Sequence, residues 1–318
     1  MPDFIIHNTH YNYFKPFTDR KPYLTFSSSD EFTLKTSNGS KNWNGSLYYS
    51  TDTENWSEWN GATISSSGGK LYLRGKNNTY LGGTDGVGRP LRITPSNSNI
   101  VDCLGNIENL LDWETAVSGS HPVMANWCFF RLFANCSYLG SAPELPATAL
   151  SKYCYRYMFD GCTSLTTAPA LPATSLEDYC YEGMFADCTS LTTAPALPAT
   201  TLAPSCYAAM FTGCTSLTTA PALPATTLAS SCYNQMFSEC NSLSVLPKLS
   251  TALNIRGCAY MMFYMCPLVM VSETQTGEYQ TALCTPSAGQ SSMFSYTGGT
   301  YKDSAVAGTT YYTSNQVV

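Results

Sequence analysis

Cysteines are the residues in this chain whose type and spacing come nearest to a chemical motif. The sequence contains 14 of them, and all but Cys103 recur in two columns with a spacing of 26 residues. The first column contains Cys128, Cys154, Cys180, Cys206, Cys232, Cys258 and Cys284, and the second contains Cys136, Cys162, Cys188, Cys214, Cys240 and Cys266. So many thiols could form a disulfide framework or bind a metal, and their spacing tests both.

The spacing favours neither bridges nor a metal centre. Within one repeat the columns are 8 residues apart, which is about 12 Å along a helix, whereas a disulfide needs Cα atoms about 4.4–6.8 Å apart. Between repeats, packed helices would lie about 8–10 Å apart. No C-x-x-C pair occurs. We therefore expect buried thiols that act as small hydrophobic side chains. This structural core ladder comprises Cys154, Cys162, Cys180, Cys188, Cys206, Cys214, Cys232 and Cys240.

No other pattern in the sequence predicts catalysis, a cofactor or a metal. His7 and His10 could share one face of a helix as metal ligands, but no helical pattern surrounds them. Asp160 and Asp187 occupy neighbouring positions of successive repeats, with nothing basic nearby to tune them as a catalytic pair. The glycine-rich run at 82–88 matches no phosphate-binding spacing and is predicted to be a flexible loop. We expect a protein that is not an enzyme.

Composition excludes further classes of function. Charged residues make up 12% of the chain, and 16 basic against 22 acidic residues give a net charge of −6. No stripe of Lys or Arg occurs, so we expect no nucleic-acid partner. No stretch of about 20 apolar residues occurs, so we expect no membrane span. The first residues lack a basic region followed by an apolar one, so no signal peptide is predicted.

The elements that position these residues follow from the 26-residue repeat. The segment CTSLTTAPALPAT occurs three times unchanged, at Cys162–Thr174, Cys188–Thr200 and Cys214–Thr226. A fixed period of this length is typical of arrays in which each repeat buries its apolar face against its neighbours. Looser repeats flank this segment on both sides, and a sixth, weaker one contains Met262 and Phe263.

Within one repeat the pattern predicts a helix and a short strand. Leu176, Cys180, Met184 and Cys188 are spaced by four residues, which we interpret as the apolar side of a helix of about three turns. Thr or Ser at 174–175, 200–201 and 226–227 are candidate N-caps, and Gly161 and Gly213 are candidate C-caps. The Leu-Thr-Thr-Ala run is strand-like, but two prolines per repeat limit any parallel sheet.

These repeats resemble the BspA-like leucine-rich repeats of bacterial surface proteins and the related repeats of Mycoplasma-type surface lipoproteins. The shared string is A/M-F-x-x-C-x-x-L followed by a Thr/Ser-rich strand and a proline, present here at Met158–Pro169. The unit is a little longer than the usual family repeat and has a second Cys and a second Pro. The resemblance, which covers about half the chain, implies an α/β solenoid. This would be a right-handed, leucine-rich-repeat-like array of about six 26-residue coils with a binding or adhesive role.

The chain divides into four predicted parts. An aromatic-rich arm covers residues 1–22, and short alternating runs predict a small antiparallel β-sandwich-like domain over 23–102. The solenoid is predicted over 103–274, followed by a C-terminal cap over 275–318.

We expect a non-catalytic recognition or adhesion protein, extracellular or on the cell surface, that binds a cell-surface protein or glycan. The alternative is a phage virion component, a tail or receptor-binding subunit. The absence of a signal peptide and the aromatic arm favour this alternative, which predicts a homo-oligomer formed through the N-terminal region.

Three sets of residues are candidate contacts. Two threonine rows comprise Thr166, Thr192 and Thr218 beside Thr167, Thr193 and Thr219; stacked threonines are also simply good strand residues, and strand register leaves open which row faces solvent. Positions that vary between repeats include Arg156, Tyr157, Glu182, Asn234 and Gln235. Aromatic contacts in the β-domain are predicted at Trp43, Trp56 and Trp59, although a small domain needs most of its aromatic residues for its own core.

Overall fold

The structure, a computed structural model, describes residues 20–81, 88, 90–247, 249, 253–288, 290–314 and 316. His7, His10 and nearly all of the predicted N-terminal arm lie outside the described residues, as does most of the run at 82–88. In the described part, regular secondary structure is mostly β-strand, arranged in three sheets, with a single α-helix.

Two sheets lie in the N-terminal part of the chain. One has the strand order β4-β3-β6-β1-β8-β9 and the other β5-β2-β7. The strands are β1 (Leu24–Ser27), β2 (Phe32–Thr36), β3 (Ser46–Ser50), β4 (Ser57–Trp59), β5 (Ile64–Ser65), β6 (Lys70–Lys76), β7 (Leu91–Pro95), β8 (Val101–Leu104) and β9 (Leu139–Ser141). All pairs are antiparallel except β8 with β9.

Alternation of apolar and polar residues explains these strands. In β6, Leu71 and Leu73 are buried, whereas Tyr72 and Arg74 between them are half-buried. The buried residues of both sheets belong to one hydrophobic core. Strands β1 to β7 lie within the range 23–102, where short alternating runs predict strands, and β3 pairs with β4 as a hairpin.

The single described helix packs closely against the first sheet. Helix α1 (Asn109–Ser118) lies against β6. A Cβ atom at Gly75 would lie 1.7 Å from the Leu110 carbonyl oxygen, so only glycine allows this approach. At the other end of the chain, β10 (Val271–Ser272), β11 (Thr281–Cys284) and β12 (Tyr311–Thr313) form a third sheet with the order β10-β12-β11.

The repeats do not form the predicted helices. Each apolar segment is a run of consecutive turns, which we call a turn row; the rows are 126–135, 152–161, 178–187, 204–213, 230–239 and 256–265. Every fourth residue of a row is left-handed, for example Tyr153 (φ 61°), Tyr157 (φ 52°) and Gly161 (φ 70°). An α-helix does not continue through left-handed residues. The prediction of a helix in each repeat was therefore wrong.

Two alternating sets of hydrogen bonds replace those of a helix. The Met158 N–H donates to the Tyr155 carbonyl of its own row, at 3.2 Å. The next donor, the Phe159 N–H, reaches the Met184 carbonyl of the following repeat, at 2.9 Å. The same alternation recurs along the row and in neighbouring rows. Each turn row is thus closed by its own turns and bonded sideways to the next repeat.

The four-residue spacing explains why a turn row forms. A helix rotates by about 100° per residue, so residues four apart drift by about 40°, and Leu176 and Cys188 would differ by about 120°. A unit of four residues returns each apolar pair to the same side. Cys180, Tyr181, Met184 and Phe185 are accordingly buried. Gly161 and Gly213 are left-handed as predicted, but within turn rows and not as caps of helices.

Equivalent residues stack in register from repeat to repeat. The Phe159 and Phe185 ring centroids are 5.6 Å apart with an interplanar angle of 4°, and those of Phe185 and Phe211 are 5.8 Å apart. This spacing is much shorter than that of packed helices. The argument against bridges between repeats assumed helices packed about 8–10 Å apart, so that argument was wrong. The cysteines are nevertheless free thiols.

All 14 cysteines are buried, and the second column also joins neighbouring repeats. The Cys188 Sγ–H donates to the Phe159 carbonyl at 3.2 Å, and the same carbonyl accepts the Cys162 N–H at 3.0 Å. Equivalent thiol bonds are made by Cys136, Cys162, Cys214, Cys240 and Cys266. These thiols therefore fill the core and also donate hydrogen bonds to carbonyl groups of neighbouring segments.

The buried thiols predict a loss of stability in alkali. Burial raises the pKa of Cys136, Cys154 and Cys206 to about 12, from 9.0. From about pH 9 upwards the unfolded chain therefore releases thiol protons that the folded chain keeps, so stability falls as pH rises towards about 12. Cys206→Ala removes one such proton. Its stability deficit relative to the wild type should shrink by about 1.4 kcal/mol per pH unit in this window, measured by urea unfolding. A deficit that stays constant with pH would contradict the burial of this thiol.

The left-handed positions predict opposite effects for two alanines. Ala209 is half-buried in a turn row with φ 52°, so Ala209→Gly should raise the free energy of unfolding by about 0.5–1 kcal/mol because glycine relieves the strain. Ala203, also half-buried, is the matched control because it has no positive φ. Ala203→Gly should lower the free energy of unfolding by about 0.5–1 kcal/mol. Equal losses in both variants, by thermal or urea unfolding, would disprove the role of the left-handed residues.

Candidate recognition surfaces

Both threonine rows are exposed. Thr166 and Thr167 are accessible, as are the equivalent pairs Thr192 with Thr193 and Thr218 with Thr219. Thr167 and Thr193 form a parallel bridge, and neighbouring strands lie about 4.8 Å apart. Because prolines limit this segment to isolated bridges, its side chains do not simply alternate between core and solvent. Both threonine rows therefore face solvent.

The threonine hydroxyls are largely unpaired. The Thr192 Oγ1 donates to the Thr166 carbonyl at 3.4 Å, a long hydrogen bond. For the other five hydroxyls, no hydrogen-bond partner lies among the described residues. The six threonines, which we call the threonine face, thus present regularly spaced donors and acceptors to solvent.

A second ridge of exposed hydroxyls was not predicted as a surface from the sequence. Thr174, Thr200 and Thr226, together with Thr201 and Thr227, are exposed, and Thr201 bridges Thr227 in parallel. These residues were predicted as helix N-caps. Because no helix follows them, their hydroxyls face solvent instead. Their 26-residue spacing was the signal that could have identified this ridge.

The variable positions Arg156, Tyr157 and Glu182 come together. Arg156 donates to Glu182 from Nε at 2.6 Å and from Nη2 at 3.1 Å, and the Tyr157 hydroxyl lies 3.2 Å from Glu182 Oε1. These groups satisfy one another across two repeats. They therefore act as a clamp between repeats, and a ligand would have to compete with it.

Two further ion pairs join neighbouring repeats, one between the rows 126–135 and 152–161 and one between the rows 152–161 and 178–187. Arg131 Nη2 lies 3.3 Å from Asp160 Oδ2, and Lys152 Nζ lies 2.8 Å from Asp178 Oδ2. Asp160 therefore has a basic partner, contrary to the sequence prediction. Burial raises the pKa of Asp160, and the neighbouring guanidinium opposes that rise. The two residues are 29 positions apart. The 26-residue pattern therefore gives no sign that they are paired.

Asn234 and Gln235 lie in a different turn row, two repeats after Glu182. Asn234 Oδ1 is buried and has no hydrogen-bond partner in the described part of the chain. Gln235 Nε2 lies 3.7 Å from the Met261 sulfur. The structure thus does not join these two residues to the Arg156 clamp.

A stack of three aromatic rings lies beside the clamp. The centroids of Trp127 and Tyr153 are 3.8 Å apart, and those of Tyr153 and Tyr179 are 4.9 Å apart. The Arg156 guanidinium carbon lies 5.6 Å from the Tyr153 ring. The stack had not been singled out at the sequence level, although its 26-residue spacing was visible. Neighbouring rings occupy the faces between them, so the stack mainly stabilises the register.

The three predicted tryptophan contacts separate into two groups. Trp43 and Trp59 are buried and stacked, with ring centroids 5.4 Å apart. As contacts for a ligand, these two were wrongly predicted, because their rings complete the core of the β-sheets. Trp56 is half-buried, and the Arg74 guanidinium carbon lies 4.0 Å from its ring centroid. Only Trp56 of the three therefore retains an accessible ring.

A buried acid and a histidine lie where α1 meets the repeats. Glu108 is 1% exposed, and its two carboxylate oxygens lie 2.8 and 3.0 Å from His121 Nδ1. Burial raises the pKa of Glu108, and His121 opposes the rise. His121 also lines a pocket of about 200 Å³ with Met124, Leu150 and Ser151. Among the described residues, no group of three or more His, Cys, Asp or Glu side chains is arranged to hold a metal ion.

Comparison of the chain with protein-family models, curated proteins and solved structures gives no significant match. Within the described ranges, no helix has the length and apolar character needed to cross a bilayer. The assignment of a function to this chain therefore depends on its own surfaces.

Proposed function

We propose that this chain is a non-catalytic recognition protein whose threonine face binds a repetitive ligand on a cell surface. The observation that carries the proposal is the exposure of six threonines in two adjacent rows, with five hydroxyls unpaired within the described residues. A ligand with polar groups at regular intervals, such as a polysaccharide or the edge of a protein sheet, would meet several of these hydroxyls at once. Many weak contacts then act together.

The proposal includes the architecture and the family resemblance. In-register hydrogen bonds such as Phe159 to Met184 support a leucine-rich-repeat-like solenoid of the BspA-like type, with turn rows in place of helices. Such arrays present extended surfaces for binding. The charged clamp at Arg156 holds the repeats in register and occupies its own charged groups, whereas the threonine face keeps five unpaired hydroxyls among the described residues.

A triple variant tests the threonine face in the full chain. Thr167→Glu, Thr193→Glu and Thr219→Glu together place three carboxylates on the face, which should weaken binding to the strongest ligand on a glycan and cell-surface protein array by at least about tenfold. Ser230→Glu, Asn254→Glu and Ser291→Glu form the matched control. These residues are also exposed but lie outside both threonine rows. Circular dichroism verifies the fold of both variants.

Retained binding by the threonine variant would place recognition elsewhere on the chain and refute the proposal. An array without any ligand for the wild type would do the same. Sedimentation of the wild type tests the virion alternative, because a stable oligomer assembled through the N-terminal region would favour a virion subunit over a monomeric adhesin.

A further inference from the structure

The outward side of the first sheet carries a cluster of aromatic residues around Arg74. In β6, Tyr72, Arg74 and Lys76 are half-buried on the side opposite the buried Leu71 and Leu73. The Tyr23 ring packs edge-on against Tyr72, with centroids 5.1 Å apart. It also lies 5.9 Å from the Trp56 ring. Because these side chains are neither fully buried nor isolated, they form an accessible aromatic surface.

Two tryptophan rings hold the guanidinium of Arg74. Its central carbon lies 4.0 Å from the Trp56 ring centroid and 4.9 Å from that of Trp113. Both distances are within the range of cation–π attraction. Tyr48 lies opposite Arg74 on the neighbouring strand β3. The cation is thus fixed by ring contacts, whereas its hydrogen-bonding groups are left for another partner.

Those hydrogen-bonding groups are unused within the described structure. The Arg74 side chain donates no hydrogen bond to any described residue, and its Nε is buried without a partner. The nearby Glu114 is instead paired with Lys76. By contrast, Arg92 donates to the Ala134 carbonyl at 2.7 Å, and Arg156 is paired with Glu182. A guanidinium has five N–H donors in a planar fork that matches a carboxylate.

The turn before β4 fixes Trp56 in advance. Asp52 Oδ1 accepts the backbone N–H groups of Glu54 and Asn55 at 2.9 and 2.8 Å, and its Oδ2 accepts the Asn55 side-chain N–H at 2.7 Å. The Trp56 Nε1–H then donates to the Thr53 carbonyl at 2.9 Å. The ring therefore requires no ordering when a ligand arrives, which favours binding.

We propose that Tyr23, Trp56, Tyr72, Arg74 and Trp113 form a binding site for an acidic saccharide. The Arg74 fork receives the carboxylate of the sugar, and the aromatic rings pack against its apolar C–H face. The aromatic surface favours a saccharide over an acidic peptide, because the C–H face of a sugar packs against an aromatic ring while its carboxylate reaches the guanidinium. This site is built on the first sheet and α1 and does not depend on the threonine face.

Titration of the full chain with a galacturonic acid trisaccharide, followed by tryptophan fluorescence and calorimetry, tests the site. We expect the acid to bind at least about tenfold more tightly than the matched galactose trisaccharide. Arg74→Met keeps an apolar chain between the tryptophans but removes the fork, so the acidic sugar should lose at least about tenfold in affinity. Arg74→Lys, which keeps the charge without the fork, should fall between Arg74→Met and the wild type.

Lys35→Gln is the matched control, because it removes one positive charge from an exposed position on β2 in the other sheet and should bind like the wild type. Equal affinity for acidic and neutral sugars, or undiminished binding by Arg74→Met, would overturn the site. So would the absence of acidic-sugar binding at millimolar concentration, or tighter binding of a glutamate-rich peptide. The comparison of the two sugars uses the wild type alone and stays decisive if Arg74→Met does not fold.

Discussion

The alternation of hydrogen-bond donors in the turn rows is the constraint on which the repeats depend. One donor closes a turn within the row and the next reaches the following repeat, as Met158 and Phe159 do. A helix directs all its bonds along its own axis, so neighbouring helices are held apart by their side chains. A turn row instead bonds directly to its neighbour. The rings, thiols and ion pairs of successive repeats are therefore brought within contact distance.

The same constraint explains where sequence analysis succeeded and failed. The strands were predictable because their apolar and polar residues alternate, as in β6. In the repeats, the four-residue spacing of Leu176, Cys180, Met184 and Cys188 was interpreted as helical, although a helix would move Cys188 away from Leu176. A left-handed Tyr or Asp, such as Tyr157 or Asp187, gives no signal of the kind that glycine gives. Burial of the cysteines followed from their recurrence in two columns of the repeat, whereas the bond from Cys188 to the Phe159 carbonyl depends on the close approach of neighbouring repeats.

Candidate sites were predictable where their residues recur at the same position of successive repeats. The threonine rows recur with the period, so their positions could be named in advance, but their exposure depends on a backbone that prolines divert from a regular strand. The surface around Arg74 was less accessible to prediction. It joins residues from β6, the turn before β4 and α1, and no sequence pattern relates Arg74 to Trp113. Trp43 and Trp59 illustrate the reverse case, because the same residue type completes a core.

At the start of the array, strand β7 accepts the thiol hydrogen bond that a preceding repeat accepts elsewhere. The Cys136 thiol donates to the Leu91 carbonyl in β7 at 3.2 Å, whereas Cys162 uses the Phe133 carbonyl of the preceding turn row at 3.1 Å. The two sheets and the repeats therefore share one hydrophobic core.

The stacked phenylalanines have a consequence for how such a chain can change length. Phe185 meets Phe159 on one side and Phe211 on the other at nearly the same distance, 5.6 and 5.8 Å. An internal repeat therefore offers interchangeable upper and lower surfaces. Duplication or deletion of one 26-residue unit would recreate contacts of the same kind. Packing between the internal repeats does not limit their number. The length of the array is therefore set by the gene.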